Sequence, residues 1–361
     1  MTTAQPKTVE QACAFVRQAT RLLPRGGGTK PALSTPSDEM DIVEMTQLSG
    51  MLEYEPGEFT FTALAGTPVA QVAQTLAEHG QYLPFDPLFV ERGATLGGTV
   101  AANASGPGRY HYGGLRDFLI GVRYINSNGQ LIRGGGKVVK NAAGFDLPKL
   151  MVGSLGGFGV LVELSFKVLP KPEAYASLRL ELDDLPDALQ AMQQAAAARL
   201  DIDALDLVPE QDKYILWVRL GGLEKALPAR LERLRAALDQ RGEALQGADE
   251  ARVWKSAIEM DWAPPGATVV KAALTPGRIA EVEAFLAERG VMRRYSCGGQ
   301  MAWLAADVPL QEINAWFKQL RLNGTAFFGA PGLPRLGEFT GRPFYRRVKD
   351  ALDPARHFME V

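Results

Sequence analysis

The sequence predicts an α+β protein built as two domains with a returning tail, and three features carry that prediction. At 361 residues the chain is longer than one hydrophobic core usually organises. Many of its 38 glycines crowd between Gly26 and Gly159, then thin out past Pro170 and Pro172. Beyond those prolines, amphipathic helices and apolar strands alternate in the order of a repeated βαββα unit, which predicts one sheet with helices on a single face. The boundaries drawn from these shifts are 1–171 for a glycine-rich domain, 172–332 for an α+β cap domain with an antiparallel sheet, and 333–361 for a tail whose helix returns to the first domain.

The elements follow in order. Thr8 and Gln11 form a capping box ahead of a helix with Ala12, Phe15, Val16 and Ala19 on its apolar face. A short strand, Leu22 to Pro24, runs into Arg25-Gly26-Gly27-Gly28-Thr29-Lys30, and strand patterns recur from Asp41 to Met45 and from Phe59 to Leu64. Thr67-Pro68 opens a helix that Gly80 ends. Asn126-Ser127-Asn128-Gly129 turns a hairpin between Phe118 and Arg133, Asp146 caps a short helix to Val152, and Val160 to Val168 alternates as a strand. In the second half the pattern predicts strand, helix, strand, strand, helix over 175–182, 185–199, 203–208, 213–220 and 224–241. The same order returns over 267–274, 277–289, 291–296, 300–305 and 308–321, followed by a strand at 325–329 and a basic helix from Arg342 to Leu352. Trp254, Trp262, Trp303 and Trp316 read as core residues, with interface anchors as the alternative.

Composition narrows the function. A net charge of −2 supplies no field for nucleic acid, and no stretch reaches the roughly 20 apolar residues of a membrane span. No secretory signal is expected at the N-terminus, so the chain reads as cytoplasmic, with membrane contact only through partners. The two cysteines, Cys13 and Cys297, are too few to hold an iron–sulfur cluster alone and are expected to stay reduced. No histidine spacing suits a metal.

Three segments carry chemistry. Arg25 to Lys30 places three glycines after a strand, so backbone N–H groups can converge on an anion such as a diphosphate; a mobile glycine turn is the plain alternative. The spacing matches neither a Walker A loop nor a dinucleotide fingerprint, since Pro31 stands where a third glycine belongs. The second segment is Leu83-Pro84-Phe85-Asp86-Pro87 followed by Gly93 to Gly106, whose small residues expose backbone to something flat and large. Its glycine content argues against a core helix, because each glycine costs about 1 kcal/mol relative to alanine there. The third runs from Gly136 to Leu150 and on through Gly153-Ser154-Leu155-Gly156-Gly157-Phe158-Gly159-Val160.

Together these segments resemble the FAD-binding domain of the vanillyl-alcohol oxidase family, also called the PCMH-type domain, and within it the glycolate oxidase branch. The likeness covers residues 8–170 by motif and the rest by length and order of elements. It implies two α/β subdomains around FAD, followed by the cap domain. It implies that Arg25, Gly26, Gly27, Gly28, Thr29 and Lys30 cradle the FAD diphosphate. Asp86, Thr95, Gly97, Gly98, Asn103, Ser105 and Gly106 would lie along the isoalloxazine and ribityl chain, and Gly157, Gly159 and Val160 would contact the adenine or flavin side. Arg109, Arg116 and Asp117 are lesser carry-overs, and the last two equally suit a structural ion pair.

Two departures from the family shape the expectations. Members with covalent flavin use a histidine or cysteine near these loops; the first loop has neither, and His111 reads as a surface residue, so the FAD is expected to be non-covalent. Where the family ends in Phe-Asn-Pro-Gly, Met359 follows Phe358, which questions any flavin contact from the tail.

Oxidising a 2-hydroxy acid needs a base for the hydroxyl proton and a cation for the carboxylate. The family's catalytic members supply histidines from the second domain, whereas this chain has only His79, His111 and His357. Arg293, Arg294, Arg335 and Arg342 are the candidate cations, or else solvated surface charges. The resemblance therefore implies an electron-transferring FAD subunit of a complex converting glycolate to glyoxylate, an FAD-dependent oxidoreductase acting on CH–OH groups. A catalytic FAD subunit and an iron–sulfur subunit would be its partners. Two alternatives stand: a self-sufficient FAD dehydrogenase of a small 2-hydroxy acid or alditol, and an assembly scaffold with a structural FAD.

Overall fold

The computed structural model describes residues 2–136 and 145–360; residues 137–144, in the middle of the third glycine segment, lie outside the described residues. The chain starts with β1 (Thr3–Ala4), α1 (Val9–Gln18), β2 (Leu22–Arg25) and β3 (Asp41–Glu44), the strands forming a small parallel sheet in the order β1-β3-β2. Thr8 caps α1 by accepting from Gln11 N at 3.2 Å, while the Gln11 carboxamide takes Lys7 N–H at 2.8 Å, one residue before the position of a standard capping box.

A second subdomain follows: β4 (Met51–Glu55), β5 (Thr60–Leu64), α2 (Val69–Ala77), β6 (Gln81–Tyr82), α3 (Leu96–Ala102), α4 (Arg109–Tyr112), α5 (Leu115–Phe118), β7 (Leu119–Ile125), β8 (Leu131–Gly135), α6 (Leu147–Met151) and β9 (Val160–Lys167). Its antiparallel sheet runs β4-β5-β9-β7-β8, and β10 (Leu169–Pro170) pairs with β6. Phe61 and Phe166 stack at 5.4 Å in its core, beside Phe85 and Phe118.

The presence of α3 differs from the sequence reading. Thr95 accepts from Gly98 N at 3.2 Å and starts the helix despite two glycines. Close packing accounts for it: a Cβ on Gly97 would sit 2.9 Å from Ala65 Cβ and 3.0 Å from Ala65 O. The conformational cost of glycine is accepted so that this helix can lie against the backbone beside β5.

The second half contains β11 (Ala174–Leu182), α7 (Leu185–Ala197), β12 (Ile202–Glu210), β13 (Lys213–Gly222), α8 (Leu227–Leu238), β14 (Glu243–Gln246), α9 (Gly247–Glu259), β15 (Thr268–Ala273), α10 (Ile279–Ala287), β16 (Met292–Ser296), β17 (Met301–Ala306), α11 (Leu310–Gln319), β18 (Asn323–Phe328) and β19 (Arg335–Gly337). One nine-stranded sheet takes the order β14-β11-β13-β12-β16-β17-β15-β18-β19. The repeat read from sequence is visible in it: β11-β13-β12 and β15-β17-β16 have the same connectivity and meet back to back at β12–β16. Asp206 fastens that seam by accepting from Arg294 Nε at 2.6 Å, Ser296 Oγ at 2.8 Å and Cys297 N at 3.1 Å.

Strand alternation divides the two faces of this sheet. Val270, Ala272, Ala302 and Leu304 pack under the helices α7, α8, α10 and α11. Val269, Met301, Trp303 and Ala305 point the other way and share a core with Phe89 and Leu96 of the glycine-rich half. The expectation of helices on one face alone is corrected by α9, which sequence reading missed: Trp254 on α9 covers Ala204, Ile215 and Trp217 on the opposite face. Last comes α12 (Arg342–Leu352). The following residues bring Phe358 beside Leu22 as a parallel bridge, with Leu22 N donating to His357 O at 2.8 Å.

Candidate functional site

A cleft, open at its mouth, runs between the small parallel sheet and α3. Its walls include Arg25, Gly26, Gly27, Gly28, Thr29 and Lys30 from the loop after β2, with Thr95, Gly97 and Gly98 opposite and Gly159 and Val160 closing one side. The two loops touch: a Cβ on Gly27 would fall onto the Gly93 backbone carbonyl, so only glycine lets them approach this closely. Gly28 differs, with φ at +67° and no atom within 4 Å of a Cβ there.

The charges around the cleft are uneven. Arg25 is paired with Glu44 at 2.6 Å. Lys30, 8% exposed, donates to Thr29 Oγ1 at 2.9 Å and has no carboxylate partner among the described residues. Burial pushes its ammonium down to about 8. A buried cation beside glycine backbone needs an anion.

Other residues named from sequence lie elsewhere. Asp86 has φ at +47° and accepts from Gly108 N at 2.7 Å, bracing its own loop beside a different cleft; burial, ahead of any charge effect, raises its carboxyl. Ser105 Oγ accepts from Leu115 N at 3.1 Å, and Gly106 packs against the Asp86 carbonyl. Arg109 is exposed beside Gly114, and the Gly157 carbonyl accepts from Lys349 Nζ at 2.6 Å. Asn103 ends α3 in the left-handed region with φ at 49°. Asp117 accepts from Gly114 N at 2.9 Å instead of pairing with Arg116. Met359, on whose account the sequence questioned a tail contact, lines the cleft. Lys349, wholly buried, holds it there through Asp353 at 2.7 Å and the Phe358 and Met359 carbonyls at 2.9 and 3.2 Å.

The four candidate arginines separate cleanly. Arg293 is ion-paired with Glu283 and Arg294 with Asp206, while Arg342 starts α12 on the surface. Arg335 has no carboxylate partner among the described residues; its Nη2 donates to Gly153 O at 3.2 Å, and burial lowers its pKa from the ordinary arginine value. A lysine not anticipated from sequence joins it. Lys271 on β15 donates to Asn103 O at 3.1 Å, and burial pushes it down to about 7, with Arg109 and Arg335 adding repulsion. His79 and His111 are exposed and His357 is held by Asp353 through its backbone, so none of the three histidines faces the cleft. Cys13 and Cys297 are free and buried.

Residues 2–135 match the family model of an FAD binding domain, and the cleft just described lies largely within them, so the chain is an FAD-binding flavoprotein. Among its relatives, glycolate oxidase subunit GlcE of Escherichia coli (strain K12) is 38% identical over 63% of this chain and 63% of that protein. Glycolate oxidase subunit GlcD of Bacillus subtilis (strain 168) is 29% identical over 54% of this chain and 42% of that protein. The D-lactate dehydrogenase of Anaerostipes hadrus is 30% identical over 47% and 35%, respectively. Each match spans less than two thirds of the relative's own length. Among solved structures, alkyldihydroxyacetonephosphate synthase superposes with a TM-score of 0.72 at 17% identity, covering 99% of this chain and 77% of that one. The shared fold is the PCMH-type FAD-binding fold with its cap. No helix among the described residues is long and apolar enough to cross a membrane.

Proposed function

We propose that this chain is the FAD-holding, electron-transferring subunit of a glycolate oxidase-type assembly, without the assembly's main substrate-oxidising site. The observation that carries this reading is a cleft lined by backbone and one uncompensated lysine, with no histidine in its walls, in a chain similar to glycolate oxidase subunits. The residues suit a dinucleotide: Gly26 to Thr29 offer backbone donors, Lys30 offers the charge for a diphosphate, and Gly98 and Val160 form flat walls. FAD bound there supplies reversible acceptance of two electrons and their onward transfer. This chain's own residues would hold the cofactor, Lys30 and the Gly26–Thr29 backbone at one wall of the cleft and Thr95, Gly97 and Gly98 at the other. Among the described residues the cleft has no cysteine or histidine in its lining, which fits a non-covalent flavin. The partners fitting this role are a catalytic FAD subunit and an iron–sulfur subunit, since this chain's two buried cysteines cannot hold a cluster. Any membrane contact would then come through them.

A spectrum of the purified chain before and after acid precipitation tests the reading, with glycolate and an artificial dye added to a native sample. Flavin released into the supernatant, without bleaching or dye reduction by glycolate, is the expected result. Rapid bleaching by glycolate would favour the second reading, a self-sufficient 2-hydroxy acid dehydrogenase, for which Lys271 and Arg335 are the motivating observation. Absence of flavin after incubation with FAD would overturn both.

A further inference from the structure

We infer that the outward face of α12, built on Arg342, Phe344, Arg346 and Arg347, is the docking site for an electron-carrying protein that presents an acidic surface. This names the kind of partner for the electron transfer proposed above and rests on that reading.

The helix binds its own fold with one side only. Tyr345, Val348, Lys349 and Leu352 recur at the three- and four-residue spacing of a single helical stripe; the first and third are buried and the other two half-buried. That stripe lies on the glycine-rich half: the Tyr345 ring is 5.3 Å from that of Phe158, and Lys349 Nζ donates to Gly157 O at 2.6 Å. Arg342, Phe344, Arg346 and Arg347 fall outside the stripe and are all exposed.

The charge on this outer face is not answered within the chain. Among the described residues no carboxylate pairs with Arg342, Arg346 or Arg347. Asp350, the one acid of the helix, is engaged by Arg356 at 2.6 Å. Arg342 also stands at the unfavourable end, because the helix macrodipole favours acids in the first turn and bases in the last. The helices α1, α7, α9, α10 and α11 each carry an acid in the first turn, whereas α12 has none and begins with arginine. Three unmatched guanidiniums in a chain of net charge −2 therefore contribute nothing evident to folding, and they create a local positive field.

Phe344 decides what kind of anionic partner fits. Its ring is 61% exposed, and the Arg347 guanidinium lies 5.9 Å from the ring centroid. An aromatic ring among arginines is the composition of a protein–protein contact, in which guanidinium forks pair with carboxylates and the ring supplies apolar area. A helix lying on anionic lipid needs a broad apolar face to bury in the bilayer boundary, and the apolar stripe of α12 is already packed on the fold.

Placement supplies the link to electron transfer. Gly156 and Met359 line the cofactor cleft, and Lys349 on the inner side of α12 also donates to Met359 O at 3.2 Å. A carrier seated on the outer face is thus separated from the cleft rim by little more than one helix diameter, about 10 Å. The remainder of the chain is net negative, so an acidic carrier is drawn to this face and oriented by it.

The test uses soluble cytochrome b5, an acidic haem protein, as the stand-in carrier, and cytochrome c, a basic one, as the control. Each is mixed with the photoreduced, FAD-loaded chain, and haem reduction is followed by stopped flow. Cytochrome b5 reduction should slow by about tenfold or more as salt rises from about 0.01 M to about 0.15 M, which shortens the screening length from about 30 Å to about 8 Å. Combined Arg342→Glu, Arg346→Glu and Arg347→Glu should cut the low-salt rate by about tenfold, remove the salt dependence and leave cytochrome c reduction unchanged or faster. FAD content, the melting curve and reoxidation by a neutral quinone should stay as in the original. Phe344→Ala should slow cytochrome b5 by a few-fold without altering the salt slope. Arg346→Gln and Arg347→Gln, each expected to slow it two- to fivefold by roughly the same argument, keep the test available if the triple variant does not fold.

A cytochrome b5 rate indifferent to these substitutions in protein that keeps FAD overturns the docking face. Equal slowing of the neutral quinone also overturns it, because the effect then lies on the flavin itself. Flotation with phosphatidylserine vesicles that is lost in the triple variant, while the cytochrome b5 rate holds, assigns the face to a membrane and is equally fatal. Calorimetric titration of cytochrome b5 into the chain needs no flavin and separates the two levels of the argument. A chain that fails to load FAD sinks the reading above, whereas the docking face then stands if the triple variant weakens this binding and falls if it does not.

Discussion

Replacing Lys30 by methionine should move folding stability and cofactor affinity in opposite directions. Methionine keeps most of the aliphatic volume of the side chain and removes its charge. Without the cofactor, burial holds the Lys30 ammonium at about 8 against an ordinary 10.5, a difference of about 2.5 units. At 1.36 kcal/mol per unit this is about 3 kcal/mol of destabilisation from keeping a proton on a buried amine. The folded value is the depressed one, so the unfolded chain holds the extra proton between pH 8 and 10.5. Stability therefore rises with pH across that window, and below pH 8 the full penalty applies. Urea unfolding of FAD-free Lys30→Met at pH 7 should show a gain approaching that size, shrinking as the pH approaches 10.5. FAD should bind more weakly, because a charge-assisted hydrogen bond to a phosphate contributes about 1.5–3 kcal/mol, or roughly 10- to 150-fold in Kd. Flavin fluorescence titration reads this directly. An unchanged Kd would refute the placement of Lys30 on the diphosphate, and an FAD-free variant less stable at pH 7 would refute the claim that its charge is uncompensated.

Gly28→Val and Gly27→Val should fail differently. At Gly28 the Cβ meets open cleft, so the loss should fall mainly on FAD binding, with about 1–2 kcal/mol of backbone strain; at Gly27 it meets the Gly93 carbonyl, so thermal stability should drop even without FAD. Comparing melting curves with FAD titrations separates the two. Lys349→Met leaves Asp353 buried without its cation and should destabilise the chain by about 3–5 kcal/mol in urea unfolding, with Met359 withdrawing from the cleft and FAD released sooner. Asp206→Asn should loosen the seam between the two half-sheets, detected as faster amide exchange at Ser296 and Cys297 with little change in FAD affinity.

The elements most legible in the sequence were those specified locally. Thr8 and Asp146 cap helices where short-range hydrogen bonds decide the start, and Asn126 to Gly129 turns the β7–β8 hairpin through its own side chain. The glycine loop after β2 was visible because glycine clusters have few uses. What escaped was set by distant neighbours. The helix at Leu96–Ala102 depends on the contact of Gly97 with Ala65, and α9 had been passed over because its apolar residue Trp254 packs on strands far away in sequence. Asp86 and Ser105 sit in a motif that suggests ligand contact, yet their side chains satisfy backbone donors at Gly108 and Leu115. A motif marks a loop whose shape matters without saying which members face inward.

Lys271 was concealed for another reason. A search for catalytic groups that begins with histidine passes over a lysine in Thr268-Val269-Val270-Lys271-Ala272-Ala273, where it resembles the solvent-facing member of a half-buried strand. That resemblance fails once β15 is central. With β17 on one side and β18 on the other, neither edge is open, and alternation leaves only two directions for the side chain. One is filled by the helices over Val270 and Ala272; the other is covered by the FAD binding domain. A charge in such a strand has little access to bulk water, so its presence asks for a gap and a counter-ion within the structure. The gap is the end of the cofactor cleft, and the counter-ion is the one thing this chain does not itself provide among its described residues. A lysine flanked by valine and alanine in a central strand is thus itself a readable signal, once the strand's place in the sheet is known.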